Sequence, residues 1–145
     1  MTTQHHVEWA RMTAPELKAI AAKGNALAIL PAGALEQHGS HLPVVTDTAS
    51  ASAAAIAAAR EVSGETAVAV LPGLWMGMSE HHLPFGGTIS LDYAAYRGVL
   101  ASIVRSLSAI GFARLLIVNG MAAILKVSTC RRGSWRWSMR CQLSR

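Results

Sequence analysis

No feature limits the fold of this sequence more than three short apolar runs: residues 26–31 (ALAILP), 67–71 (AVAVL) and 114–118 (RLLIV, apolar after its leading Arg). Each has strand length without polar alternation, the pattern of a strand buried on both faces. Two helical segments separate them. Residues 48–62 are Ala-rich and stop at Ser63-Gly64, and their small side chains would let a helix lie close to a sheet. From Leu91 the pattern turns helical again: Tyr96, Leu100, Ile103, Leu107 and Ile110 recur at intervals of four and three, with Gly111 as a natural stop. A shorter helix is expected after Thr13, with Thr13 as cap, Glu16 three residues on and an end near Gly24. Strand, helix, strand, helix, strand predicts an α/β fold with a mostly parallel sheet. Ligands in such sheets bind beyond the carboxyl ends of the strands. The polar stretches 36–47, 79–90 and 119 onward all follow strand ends, so they are expected to meet on one rim.

Composition narrows the function classes. With 145 residues, 52% hydrophobic and 14% charged, the chain has material for one packed domain and does not resemble a disordered one. No apolar run approaches the roughly 18 residues of a membrane span. The N-terminus lacks the basic start and apolar core of a signal peptide, which favours the cytoplasm. The net charge of +5 belongs to the tail: residues 1–120 hold seven Lys/Arg and all eight Asp/Glu, whereas 121–145 hold six basic residues and no acid. Within that tail Arg131, Arg132, Trp135, Arg136, Trp137 and Arg140 interleave charge with aromatic rings, a pattern that suits nucleic acid or an anionic membrane. Because the charge is confined to the tail, neither partner is expected. Cys130 and Cys141 match neither a redox pair nor a zinc knuckle.

Chemistry concentrates in LPAGALEQHGSHLPVVTD, which places Glu36, His38, His41 and Asp47 within twelve positions. Glu36 and His38 are two apart, so in extended backbone their side chains leave from the same face. A carboxylate, an imidazole and a second carboxylate returning after a turn suit zinc or manganese. On spacing alone another reading stays open, in which these are ordinary loop residues and Asp47 caps the Ala-rich helix. The stretch 75–90 has no sustained period and reads as a long loop, a length that is often functional. There Ser79, Glu80, His81 and His82 are candidates for substrate contact or proton transfer, or else members of a solvated loop. Trp75 and Met78 read as loop packing, and His5-His6 as a frayed terminus.

LPAGALEQHG, the HLP after it and Thr46-Asp47 together resemble the signature of the creatininase family. LPGLWMGMSEHHLPFGGTISLD resembles the family's second loop, with Gly86 where Pro is usual, and RLLIVNG resembles its third strand. The resemblance covers residues 26–120. It implies a three-layer α/β/α sandwich, of which this chain carries the N-terminal part, a homohexamer, and two divalent ions, zinc and/or manganese. By that resemblance Glu36 would bind one ion, His38 the other, and Asp47 would bridge them. It also implies hydrolysis of a non-peptide or cyclic amide C–N bond in a small molecule by a metal-activated water. The family further includes deformylases and peptide-trimming enzymes. Ser79, Glu80 and His81 are the catalytic candidates.

After Asn119-Gly120 the pattern departs from the family. The family continues with a ligating His, and this chain has Met121, whose thioether is a poor partner for zinc or manganese. A further ligating Glu is expected downstream, yet no acid follows Asp92. Met-Ala-Ala-Ile is encoded ATG GCN GCN ATH; read one base earlier after a C, it becomes CAT GGC NGC NAT, which can encode the family's His-Gly-Gly-Asn. Residues 1–120 are therefore expected to be the N-terminal part of a creatininase-like domain, and 121–145 a non-family basic tail, disordered or out of frame. Two function classes follow: a hydrolase represented by an incomplete chain, and a non-catalytic fragment with at most weak metal binding.

Overall fold

The computed structural model describes residues 6–121 in full and residues 125–131 and 134–140 by their backbone. His5 of the terminal pair and tail residues 122–124, 132–133 and 141–145 lie outside the described residues. The three apolar runs form β1 (Leu27–Ala32), β2 (Val68–Val70) and β3 (Arg114–Asn119). β1 lies between the other two and pairs in parallel with both. The intervening segments are α2 (Thr46–Val62) and α3 (Tyr93–Ile110), and α1 (Ala14–Ala21) precedes β1.

Strand side chains alternate between two cores, which is why both faces had to be apolar. Ala28, Leu30 and Ala32 of β1 join Ala69, Leu115 and Ile117 beneath Leu17 and Ala21 of α1 and Leu107 of α3. Leu27 and Ile29 face the other way with Val68, Val70, Leu116 and Val118, against Ala55 and Ala59 of α2. Helices thus cover both faces of the sheet, the three-layer arrangement expected. The Ala-rich helix packs as its composition requires, with Ala51, Ala55 and Ala59 buried one turn apart. Pro31 has no N–H to give, but its carbonyl accepts from Leu74 N at 2.8 Å where the chain leaves β2.

Helix ends follow local chemistry. Asp92 Oδ1 accepts from Ala95 N at 2.7 Å and caps α3, and Gly111 ends it at φ 107, in the left-handed region. At α1 the expected capping box is present, and the Glu16 carboxylate accepts from both the backbone N–H and the hydroxyl of Thr13, each at 2.6 Å. These two bonds hold the Glu16 carboxyl below its usual range. α2 corrects an expectation. It starts at Thr46 with Val45 in the cap position, so Asp47 lies inside the first turn and is not the cap.

The sheet continues past β3 in the order β2-β1-β3-β4-β5, where β4 (Leu125–Arg131) and β5 (Ser134–Arg140) are antiparallel. The sequence pattern suggested no regular element there. An extended segment beside β3 satisfies N–H and C=O groups that an open edge would leave bare. On the opposite side, Val70 N donates to Val7 O at 2.7 Å, so the N-terminal segment covers the edge of β2. No described helix is long and apolar enough to cross a membrane.

Candidate metal centre

All three loops leave the carboxyl ends of their strands on the same rim. Leaving β1 for β2 on one side and reaching β3 on the other, the chain makes β1 a switch point, where such folds open a crevice. Backbone bonds then tie the loops together. Gly33 N donates to Leu74 O at 2.9 Å, Ile89 N to Leu35 O at 3.0 Å, and Gly120 N to Ala32 O at 2.8 Å. Glu36 N donates to Val44 O at 3.1 Å, closing the first loop so that Asp47 returns beside Glu36 and His38.

Glycine makes this closure sterically feasible. A Cβ on Gly120 would overlap the carbonyl of Asp47, and one on Gly33 would overlap the backbone of Thr48. The first turn of α2 therefore rests directly on the ends of β1 and β3. We expect Gly120→Ala to cost about 3 kcal/mol, the upper part of the overpacking range, because backbone and not a flexible side chain must move. The urea midpoint measures this cost, and zinc affinity should fall with it as Asp47 is displaced.

Glu36, His38 and Asp47 each present a ligand atom within 4.8 Å of the others. Among the described residues they are the one set of His, Cys, Asp and Glu side chains so placed. Glu36 and Asp47 are only 8% and 7% exposed. Two carboxylates taken out of water side by side require a compensating cation or a proton. Burial pushes the Asp47 carboxyl above its ordinary value; His38 opposes the rise, and the neighbouring Glu36 adds to it. His38 Nε2 lies 3.3 Å from Asp47 Oδ1, close enough for an ion pair, yet it is buried without a hydrogen-bond partner. The distance and the missing bond agree once orientation is considered: the lone contact is near but poorly directed. A buried ring nitrogen with no hydrogen-bond partner, clustered with two carboxylates, suits a divalent ion.

The second loop contributes Ser79 and His82. Ser79 is fully buried; its hydroxyl donates to Glu36 Oε2, and its N–H donates to Ser90 Oγ at 2.9 Å. His82 Nε2 lies 3.8 Å from Glu36 Oε1, and Gln37 Nε2 lies 2.9 Å from His82 Nδ1. A 3-10 turn, Glu80–Phe85, sets this choice by turning His82 inward and leaving Glu80 and His81 exposed. His41 is exposed as well, its ring beside Gly39. Trp75 and Met78 are each 41% exposed, more open than loop packing suggested. Gln37 drew no attention in the sequence; only its position beside Glu36 and His38 could have marked it.

A family model described as creatinine amidohydrolase matches residues 10–124. The chain is 34% identical over 116 residues to a creatinine amidohydrolase of Pseudomonas putida, covering 75% of this chain and 42% of that protein. It is 38% identical over 97 residues to a mycofactocin precursor peptide peptidase of Mycobacterium ulcerans, covering 63% and 38% respectively. A crystal structure of creatinine amidohydrolase (creatininase) superposes with a TM-score of 0.74 at 35% identity, over 80% of this chain and 45% of that one. The fold, the rim and these likenesses together place the chain in the creatininase family. It spans less than half the length of the relatives it matches.

Proposed function

We propose that this chain carries one wall of the divalent-metal site of an amidohydrolase that cleaves a non-peptide or cyclic amide C–N bond in a small molecule. The observation that carries the reading is His38 Nε2, buried without a hydrogen-bond partner in a residue whose ligand atom lies within 4.8 Å of those of Glu36 and Asp47. Glu36, His38 and Asp47 would hold the metal. Solved creatininases include a manganese form and one of Zn-Zn type, which supports zinc or manganese here. A bound divalent ion supplies Lewis acidity to an amide carbonyl and a nucleophile at neutral pH. The chain's own part is positional: Ser79 holds Glu36 Oε2, and the first turn of α2 holds Asp47 against the strand ends. The relatives' names mention creatinine and a precursor peptide, so both small cyclic amides and peptide amides belong in the assay.

The test is turnover by the purified chain loaded with zinc or manganese. Hydrolysis that is lost with a chelator and with Glu36→Gln supports the reading. Stable, metal-free protein without turnover gives the second reading, a non-catalytic fragment with at most weak metal binding. Met121 favours that second reading, because its thioether, lying against Gly77, adds no suitable ligand to the rim. The proposal extends to a homohexamer in the cytoplasm, for which sedimentation of the purified chain and localisation of a tagged copy are the checks. It also retains residues 121–145 as an out-of-frame tail, which resequencing of the Gly120 codon and its neighbours checks.

A further inference from the structure

We propose that Gln37 fixes the ring of His82 as its Nε2–H tautomer, so that His82 serves the centre as a hydrogen-bond donor to a substrate carbonyl oxygen and not as a ligand. The second half rests on the amidohydrolase reading above; the first does not.

The tautomer follows from a chain of groups with fixed roles. Gly39 N–H can only donate, and it meets Gln37 Oε1 at 2.9 Å, so that atom of the amide is its oxygen. The other amide atom is then the NH2 group, which can only donate, and it lies 2.9 Å from His82 Nδ1. Nδ1 must present its lone pair, and the proton of the neutral ring therefore sits on Nε2. Gly39 makes the relay achievable: at φ 71 it adopts a left-handed turn that brings its N–H back onto the Gln37 side chain. The ring is also confined by neighbours, with His81 at 4.2 Å and Phe85 at 6.2 Å between centroids.

The proton on Nε2 decides what His82 can do. A metal ligand must offer a lone pair, and here the nitrogen facing the centre carries hydrogen instead. At 3.8 Å from Glu36 Oε1 the N–H is beyond hydrogen-bond reach, and Glu36 Oε2 is already taken by Ser79. It remains available to an oxygen entering beside Glu36. Amide hydrolysis builds negative charge on the carbonyl oxygen, and a donor already oriented toward it is the usual means of stabilising that charge, worth about 100-fold in rate. His82 would be the catalytic residue in this role, and Gln37 a positioning residue acting through it.

Long-range 1H–15N spectra of the full chain read ring tautomers directly, with the His82 signals assigned by their loss in His82→Gln. The expected result is a protonated Nε2 and an unprotonated Nδ1 in the unsubstituted chain. Gln37→Glu should reverse them, because a carboxylate can accept from Nδ1–H while still accepting from Gly39. A protonated Nδ1 or an even mixture in the unsubstituted chain overturns the proposal, as does a tautomer unmoved by Gln37→Glu. The unsubstituted spectrum decides alone if that variant does not fold. On adding zinc, the His38 signals should shift while His82 keeps its Nε2 proton, and acetamide should then shift His82 Nε2–H but not His81. Loss of that proton to zinc, or no response to acetamide with zinc bound, removes the donor role. Unmoved His38 signals would instead refute the metal centre, a separate failure.

Discussion

Asp47→Asn is expected to lower zinc affinity by about 100-fold, ~2.8 kcal/mol, without lowering the stability of the metal-free chain at neutral pH. Asn keeps the shape of Asp and removes the charge, so the effect isolates the carboxylate. Among the described residues Asp47 supplies one of the three ligand atoms that lie within 4.8 Å of one another, and losing an ionised donor from so small a set is costly. In the metal-free chain the same carboxylate is a burden, because burial and the adjacent Glu36 outweigh the help from His38. The sign of the pH effect follows. The folded chain holds the Asp47 proton more tightly than the unfolded chain, whose value is near 3.8, so this group's contribution to stability falls as pH rises from there through the raised folded value. Acidification across that window should therefore favour the metal-free fold through Asp47, and Asp47→Asn should abolish that share. Zinc competition titrations and urea midpoints at several pH values measure both effects. If Asp47 served as a helix cap, the substitution would leave zinc affinity untouched, and Asp47→Ala would cost about 1 kcal/mol.

Met121→His is expected to raise zinc affinity by about tenfold or more, ~1.4 kcal/mol. Residue 121 sits beside the centre for structural reasons. Gly120 N bonds to Ala32 O, Gly120 packs on the Asp47 carbonyl, and Met121 N–H donates to Asn119 Oδ1 at 3.3 Å. The Met121 thioether is directed at Gly77, on the loop that carries Ser79 and His82. An imidazole at this position offers zinc a suitable nitrogen, which a thioether does not. Met121→Leu is the control and should bind zinc as the parent chain does. Equal affinities in all three chains would mean that residue 121 takes no part in the site.

Much of the fold was readable because buried parallel strands leave a continuous apolar trace, and the 26–31, 67–71 and 114–118 runs fall within a residue or so of β1, β2 and β3. The stripe on α3 and its Gly111 stop were readable for a similar reason: period and backbone conformation are local properties. Glu36, His38 and Asp47 were legible together because the loop that joins them is short. What was not legible depends on contacts made across the chain. The choice between His81 and His82 turns on a 3-10 turn with no periodic signature, and one position separates an exposed ring from one facing Glu36. Ser79 could be named, but its complete burial against Glu36 follows only from the pairing of the two loops. Asp47 resembled a cap because helix starts are ambiguous by a residue or two, and here Val45 takes that place. The pairing of β4 onto β3 depends on an edge that only the assembled sheet presents.

Zinc K-edge absorption of the chain loaded with one equivalent of zinc tests the metal centre most directly. The account predicts a shell of oxygen and nitrogen donors at about 2.0–2.1 Å, with imidazole scattering from His38, all lost in Asp47→Asn. Sulfur scattering at about 2.3 Å would place the metal on the tail cysteines and contradict it. So would an oxygen and nitrogen shell that survives the substitution unchanged.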